Sequence, residues 1–121
     1  MVTTLNWFEI PATDFERAKS FYAKVLDVKI HDYPNRQYAY LPSDGQTGGF
    51  GGAIGFGENF VPAMTGTTIY LDGGNDLSVP LGKVESAGGK IILPKTAIGG
   101  NGFIALFVDT EGNKVGFHSV G

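Results

Sequence analysis

The sequence predicts an α+β domain in which one unit, a strand, a helix and three further strands, occurs twice, near 1–60 and near 61–121. Three observations predict it. "LNWFEI" (5–10) alternates with a period of two and gives way after Pro11 to a stripe of helical period. "GTTIYLD" (66–72) followed by "NDLSVPLGKVESAGG" (75–89) repeats that succession. After each, three short β-rich runs are set apart by Gly, Pro, Asn and Asp. Residue identity between the halves is weak, so the repeat is one of pattern. At 121 residues and 12.8 kDa the chain is expected to be a single domain of two modules sharing a core.

In chain order, Leu5, Trp7 and Glu9 share one face of the first strand, and Asn6, Phe8 and Ile10 the other. Thr13 is expected to cap the first helix, with Glu16 completing a T-x-x-E box. Phe15, Ala18, Tyr22, Val25 and Leu26 fall on one stripe, with Phe21 beside it. Phe8 and Ile10 are the natural floor for that stripe, so Trp7 and Glu9 should point the other way. "VKIHDY" (28–33), "RQYAYLP" (36–42) and the glycine-rich "GGFGGAIGF" (48–56) complete the first unit, with breaks at "PN" (34–35) and "PSDGQTGG" (42–49). A phosphate-binding glycine loop would open a helix, and nothing helical follows these glycines. In the second unit a short helix is begun by Asn75, Asp76 or Ser78 and ended by Gly88–Gly89, and Pro80, tolerable only in a first helical turn, argues for a late start. "KIILPK" (90–95), "GFIALFVD" (102–109) and "NKVGFHS" (113–119) are the last strands. Gly112 takes the φ > 0 position of the "DTEGN" turn.

Composition narrows the function classes. The net charge is −3, the pI about 5.2, and the nine basic residues are scattered. No basic stripe offers a footprint for nucleic acid. The absence of cysteine removes disulfides, thiolate nucleophiles and Cys-based zinc sites. No signal peptide is expected from "MVTTLNWF", and the longest apolar run, "FIALFV" (103–108), is far short of a membrane span. A cytoplasmic location is therefore expected. No G-x-S-x-G or nucleophile triad is visible.

"WFEIPATDFERAKSFY", "TIYLDGGNDL", "KVESAGGKIILPKT" and "ALFVDTEGNKVGFHS" resemble the vicinal oxygen chelate superfamily of glyoxalase I, bleomycin-resistance proteins and extradiol dioxygenases. The likeness runs in order along nearly the whole chain. W-F-E-I-P-x-T-D and L-P-K-T…D-T-E-G-N-x-x-x-H-S resemble more narrowly a bacterial subgroup described as predicted enzymes related to lactoylglutathione lyase. The resemblance implies paired βαβββ modules curled into an open, cup-like half-barrel, homodimers with modules of two chains side by side, and a divalent metal held by His, Gln or Glu from the first and last strands of each module. Carried onto this chain, those positions fall on Trp7, Thr68, Gly116 and the Gly51–Gly52 region. Indole and glycine do not ligate metal and a lone threonine hydroxyl ligates poorly, so no metal or other cofactor is expected. A displaced metal site, with Glu9 and His118 in one cup, is the alternative.

The candidate catalytic residues are Glu9, a carboxylate whose partial burial would make it a base, and His118, whose imidazole titrates near neutrality. Either has a bland reading: Glu9 paired with Arg17, Arg36 or a backbone donor, His118 bonded to a neighbouring strand. The candidate ligand-binding residues are Trp7, Tyr38, Tyr40, Phe50, Thr68 and Tyr70, an aromatic lining for a small, partly apolar molecule. His31 is explained by solvation, and Lys95 is placed at the cup's rim or in solvent. Three functions follow. They are a metal-free binding protein able to transfer a proton or isomerise its ligand, a metal-dependent lyase or isomerase of glyoxalase type, and a protein that sequesters an antibiotic-like molecule unchanged.

Overall fold

The computed structural model describes residues 4–43 and 49–121. Its elements are β1 (Phe8–Ala12), α1 (Phe15–Leu26), β2 (His31–Asp32), β3 (Tyr38–Pro42), β4 (Phe50–Phe56), β5 (Tyr70–Asp72), α2 (Ser78–Leu81), β6 (Lys90–Ala97), β7 (Phe103–Val108) and β8 (Lys114–Ser119). They form two open four-stranded sheets, ordered β1-β4-β3-β2 and β5-β8-β7-β6. In each, the first strand lies parallel to the last and the other pairings are antiparallel. The twofold βαβββ pattern is thus present. The "PSDGQTGG" break lies mostly outside the described residues.

α1 forms where apolar residues recur at helical spacing. Phe15, Ala18, Phe21, Tyr22 and Val25 are buried along it. Asp14, not Thr13, is the cap, with its side chain accepting from the Arg17 N–H. Glu16 therefore lies in the first turn instead of closing a box, and pairs with Lys19 at 3.1 Å. The helix ends at Asp27, whose φ of 55° is the left-handed conformation a short polar side chain tolerates. α2 is a single turn, followed by turns up to Gly88. Pro80 sits inside that turn, and the Asp76 side chain accepts from the Ser78 N–H.

β2 is shorter than its apolar run. Beyond Asp32 the Tyr33 N–H closes onto the Tyr38 carbonyl, and Asn35 turns with φ 65°. β5 is likewise only three residues. Among the described residues no helix is long and apolar enough to cross a membrane.

One hydrophobic core joins the units. Ile10, Ala12, Ala39, Leu41 and Ile54 of the first sheet, the α1 stripe, and Leu71, Ala105, Phe107, Val115 and Phe117 of the second belong to it. Phe21 and Phe107 meet at 5.9 Å between ring centroids. Phe107 points into this core and Phe103 packs against it, which fixes a strand phase the sequence leaves open. Both sheets thus turn one face to α1 and the shared core, and the alternate residues of every strand point away from it.

A polar clamp crosses the same boundary. The Glu111 carboxylate, fully shielded from solvent, accepts from the N–H groups of Thr13 and Asp14, the Thr13 and Thr110 hydroxyls, and Arg17 Nε at 2.8 Å. Beside it, buried Asp109 accepts from the Tyr22 hydroxyl at 2.6 Å and from Asn113 Nδ2, which also donates to the Pro11 carbonyl. Gly112 closes the turn with φ 93°. Burial disfavours the charged form of Glu111, but Arg17, the Asp14 N–H and the two hydroxyls outweigh it and hold its pKa at about 2.

Because that folded-state pKa lies below the ordinary 4.5, the clamp contributes fully above pH 4.5 and is lost as pH falls towards about 2. Glu111→Ala would strip the α1 terminus and Arg17 of their acceptor. It should cost on the order of 3 kcal/mol in urea unfolding and flatten the acid limb of stability against pH. A loss below about 0.5 kcal/mol would contradict the clamp.

Candidate functional site

The residues that point away from the core on the first sheet include most of the candidate site residues. Register places Glu9 beside Ala53 and Pro11 beside Gly55 on β4, with Tyr40 beyond Ala53 and Tyr38 beyond Gly55 on β3. β4 therefore presents Gly51, Ala53 and Gly55 on this face, and a Cβ at Gly55 would strike the Phe60 ring. Gly52, beneath Phe8, is on the core side. These small residues let rings settle over the strand. Trp7 and Tyr40 meet edge to face at 5.9 Å, Tyr38 and Tyr40 likewise at 5.9 Å, and Tyr40 stacks on Phe50 at 4.8 Å. Tyr33 packs edge-on against Tyr38 and Tyr40, and the Arg36 guanidinium lies 4.5 Å from the Tyr38 centroid. His31, exposed, tilts over Phe50 at 5.4 Å.

A hydrogen-bond chain runs through this cluster. Trp7 Nε1 donates to the Tyr38 hydroxyl at 3.0 Å, and that hydroxyl donates to Glu9 Oε2 at 2.7 Å. Glu9 is exposed and not partly buried as expected, and it pairs with a neutral tyrosine rather than with Arg17 or Arg36. Burial, then the Glu9 carboxylate, raises the Tyr38 pKa, so Tyr38 stays protonated and holds the indole and the carboxylate in fixed relation.

On the second sheet the corresponding face carries Tyr70, Gly116 and His118. The Tyr70 ring covers Gly116, and at 42% exposure it remains open to solvent. His118 Nε2 bonds the Asn101 carbonyl at 2.7 Å, which places the proton on Nε2 and ties the ring to the β6–β7 connection. Lys95 is half-buried. It bonds Asp76 at 2.9 Å beside α2 and lies 4.5 Å over the Phe103 ring, against the core. Backbone donation from Ser78, followed by Lys95, lowers the Asp76 pKa to about 2.

A divalent metal is not served by this donor set. Where the resemblance would put ligands stand Trp7, Thr68 and Gly116, and the β4 register supplies Gly51 or Ala53 for the fourth. Among the described residues no three His, Asp or Glu side chains converge to hold a metal ion. Glu9 and His118 share neither a cavity nor a hydrogen bond.

Two clefts flank β1. One, of about 420 Å³, brings Trp7 and Glu9 together with Val61, Thr65, Thr67 and Lys114. The other, of about 470 Å³, is walled by Phe8, Leu26, Leu41, Ile69, Tyr70 and Leu71. Thr68 lines neither. Tyr38, Tyr40 and Phe50 form the aromatic wall with Trp7 but do not line the first cleft. Tyr70 belongs to the second cleft and is not joined to the Trp7 cluster. Sequence reasoning did not find Tyr33, Arg36 or Lys114. The alternation of "NKVGFHS" does place Lys114 on the face of Gly116 and His118, and that was the available signal.

The geometry is that of two βαβββ modules, and comparison with known proteins agrees on that fold. The sequence matches the Glyoxalase/Bleomycin resistance protein/Dioxygenase superfamily over residues 4–117, and the chain belongs to it. Among solved structures, a hypothetical protein from S. aureus is 23% identical with a TM-score of 0.69, the match covering 98% of this chain and 95% of that one. TnmS3, an antibiotic binding protein from Streptomyces sp. CB03234, is 18% identical with a TM-score of 0.65, covering 99% and 98%. The fosfomycin resistance protein FosX from Listeria monocytogenes is 13% identical with a TM-score of 0.67, covering 98% and 92%. At these identities the likeness is one of fold. No curated protein matches the chain by sequence.

Tyr38→Phe removes the link between Trp7 and Glu9. The variant should lose about 1 kcal/mol of stability and shift the emission of Trp7, the sole tryptophan. Unchanged emission would mean that the indole is not held by this hydroxyl.

Proposed function

We propose that this protein binds a small, partly apolar molecule in the cleft beside Trp7 on its first sheet, without a resident metal. One observation carries the reading. Trp7 and Glu9, locked together through Tyr38, line the same open cleft of about 420 Å³. An indole supplies a flat, polarisable surface, and a carboxylate beside it supplies one directional acceptor, the usual economy of a small-molecule site. TnmS3, an antibiotic binding protein of similar fold, supports a binding role.

Glu9 is the residue placed to take a proton from a bound molecule. Tyr38 occupies only one of its carboxylate oxygens, so the group keeps acceptor capacity towards the cleft. His118 is assigned a structural role instead, since its Nε2 is committed to Asn101. A metal-dependent lyase would need ligands from elsewhere than the positions named above. The protein's own partner is proposed to be a second copy. Trp7, 38% exposed, and Tyr70, 42% exposed, leave two aromatic faces for a dimer to bring together.

Trp7 reports on the site directly. Planar aromatic molecules should quench or blue-shift its emission saturably, and Trp7→Ala should weaken their binding about tenfold by calorimetry, equivalent to ~1.4 kcal/mol. If no member of a panel of aromatic acids, amines and neutral compounds perturbs the indole, the reading fails. Light scattering at micromolar concentration should give twice the chain mass, and a monomer mass would remove the dimer.

A further inference from the structure

The cleft beside Trp7 holds a charge that the fold itself does not use. Lys114 opens β8, its backbone N–H bonded to the Ala63 carbonyl and its neighbour Asn113 tied to Pro11, Ala63 and Asp109. Its position is therefore fixed from both sides. Yet among the described residues its ammonium group makes no ion pair and no hydrogen bond, while Arg17, Lys19 and Lys95 each have a carboxylate. Glu9, in the same cleft, bonds the neutral Tyr38 hydroxyl and, among the described residues, reaches no cation within ion-pair distance. The Thr65 and Thr67 hydroxyls on the cleft wall are exposed and have no partner among the described residues. One cleft thus holds a free ammonium with two hydroxyl donors, a free carboxylate, and an indole.

Electrostatics narrows what such a cleft selects. A simple anion drawn to Lys114 meets the field of Glu9, and a simple cation drawn to Glu9 meets that of Lys114. A molecule with both charges satisfies each and cancels neither. We infer that the cleft selects a small aromatic zwitterion of the amino-acid type, its carboxylate taken by Lys114 with Thr65 and Thr67, its ammonium by Glu9, and its ring by Trp7. The volume suits an occupant of that size. This inference rests on the binding role proposed above and adds the class of ligand.

Three probes with one ring and different charges test it on the full chain: phenylalanine, phenylacetate and phenethylamine, followed by Trp7 emission and calorimetry. Phenylalanine should bind about tenfold tighter than either single-charge probe. Lys114→Met should weaken phenylalanine about tenfold and phenylacetate more than phenethylamine, and Lys114→Arg should restore most of the loss. Glu9→Gln should show the mirror pattern, weakening phenethylamine more than phenylacetate. If the three probes bind alike and neither substitution discriminates among them, the zwitterion assignment is overturned while aromatic binding stands. If none of them perturbs Trp7, both fall.

Discussion

The Glu111 carboxylate, buried at the N-terminus of a helix that lies more than ninety residues away in sequence, is the interaction on which the arrangement depends. A helix start leaves backbone N–H groups without partners and carries partial positive charge, so a carboxylate placed there is doubly favoured. Here the carboxylate comes from the second module, and capping α1 therefore also joins the modules. Asp109 on Tyr22 and Asn113 on the Pro11 carbonyl extend the joint from the helix to the end of β1. The cleft inherits its geometry from this clamp. Pro11 is two residues beyond Glu9, and Asn113 immediately precedes Lys114, so the bond that holds the modules also sets the carboxylate and the ammonium group in one cleft.

The same economy explains how a fold associated with metal ligands accommodates rings. Gly55 and Gly116, which face away from the core, are covered by Phe60 and Tyr70 respectively. A side chain of any length at those places would have to displace the ring. On the first sheet the hydrogen bond from Trp7 to Tyr38 holds the indole over this surface.

Much of this was legible in the sequence, because it rests on periodicity. Alternation in "LNWFEI" correctly separated Phe8 and Ile10, which face α1, from Trp7 and Glu9, which do not. The α1 stripe and the turn at Gly112 followed from local rules that tertiary contacts did not override, whereas the second helix, expected to run on to Gly88–Gly89, is a single turn that ends at Leu81. What escaped was long-range. Thr13 reads locally as a cap, but Glu111 claims its hydroxyl and the cap passes to Asp14. Asp109 and Glu111 read as ordinary turn residues, although they are buried anchors. Alternation assigns Glu9 and His118 equally to outer faces, yet cannot tell that these belong to two sheets sharing one core. Lys114 went unnoticed for the same reason, since only tertiary packing brings the start of β8 to the cleft beside β1.

If the Trp7 cleft binds aromatic molecules and not a metal, a divalent ion should leave the indole undisturbed. The single indole N–H resonance allows this to be tested by titrating Mn²⁺ into the isotopically labelled protein. Specific occupancy by the paramagnetic ion would broaden that resonance because Glu9 lies in the same cleft. The account predicts no saturable broadening at stoichiometric Mn²⁺. Saturable loss of the Trp7 indole signal at one equivalent, reversed by excess Mg²⁺ or Zn²⁺, would contradict it.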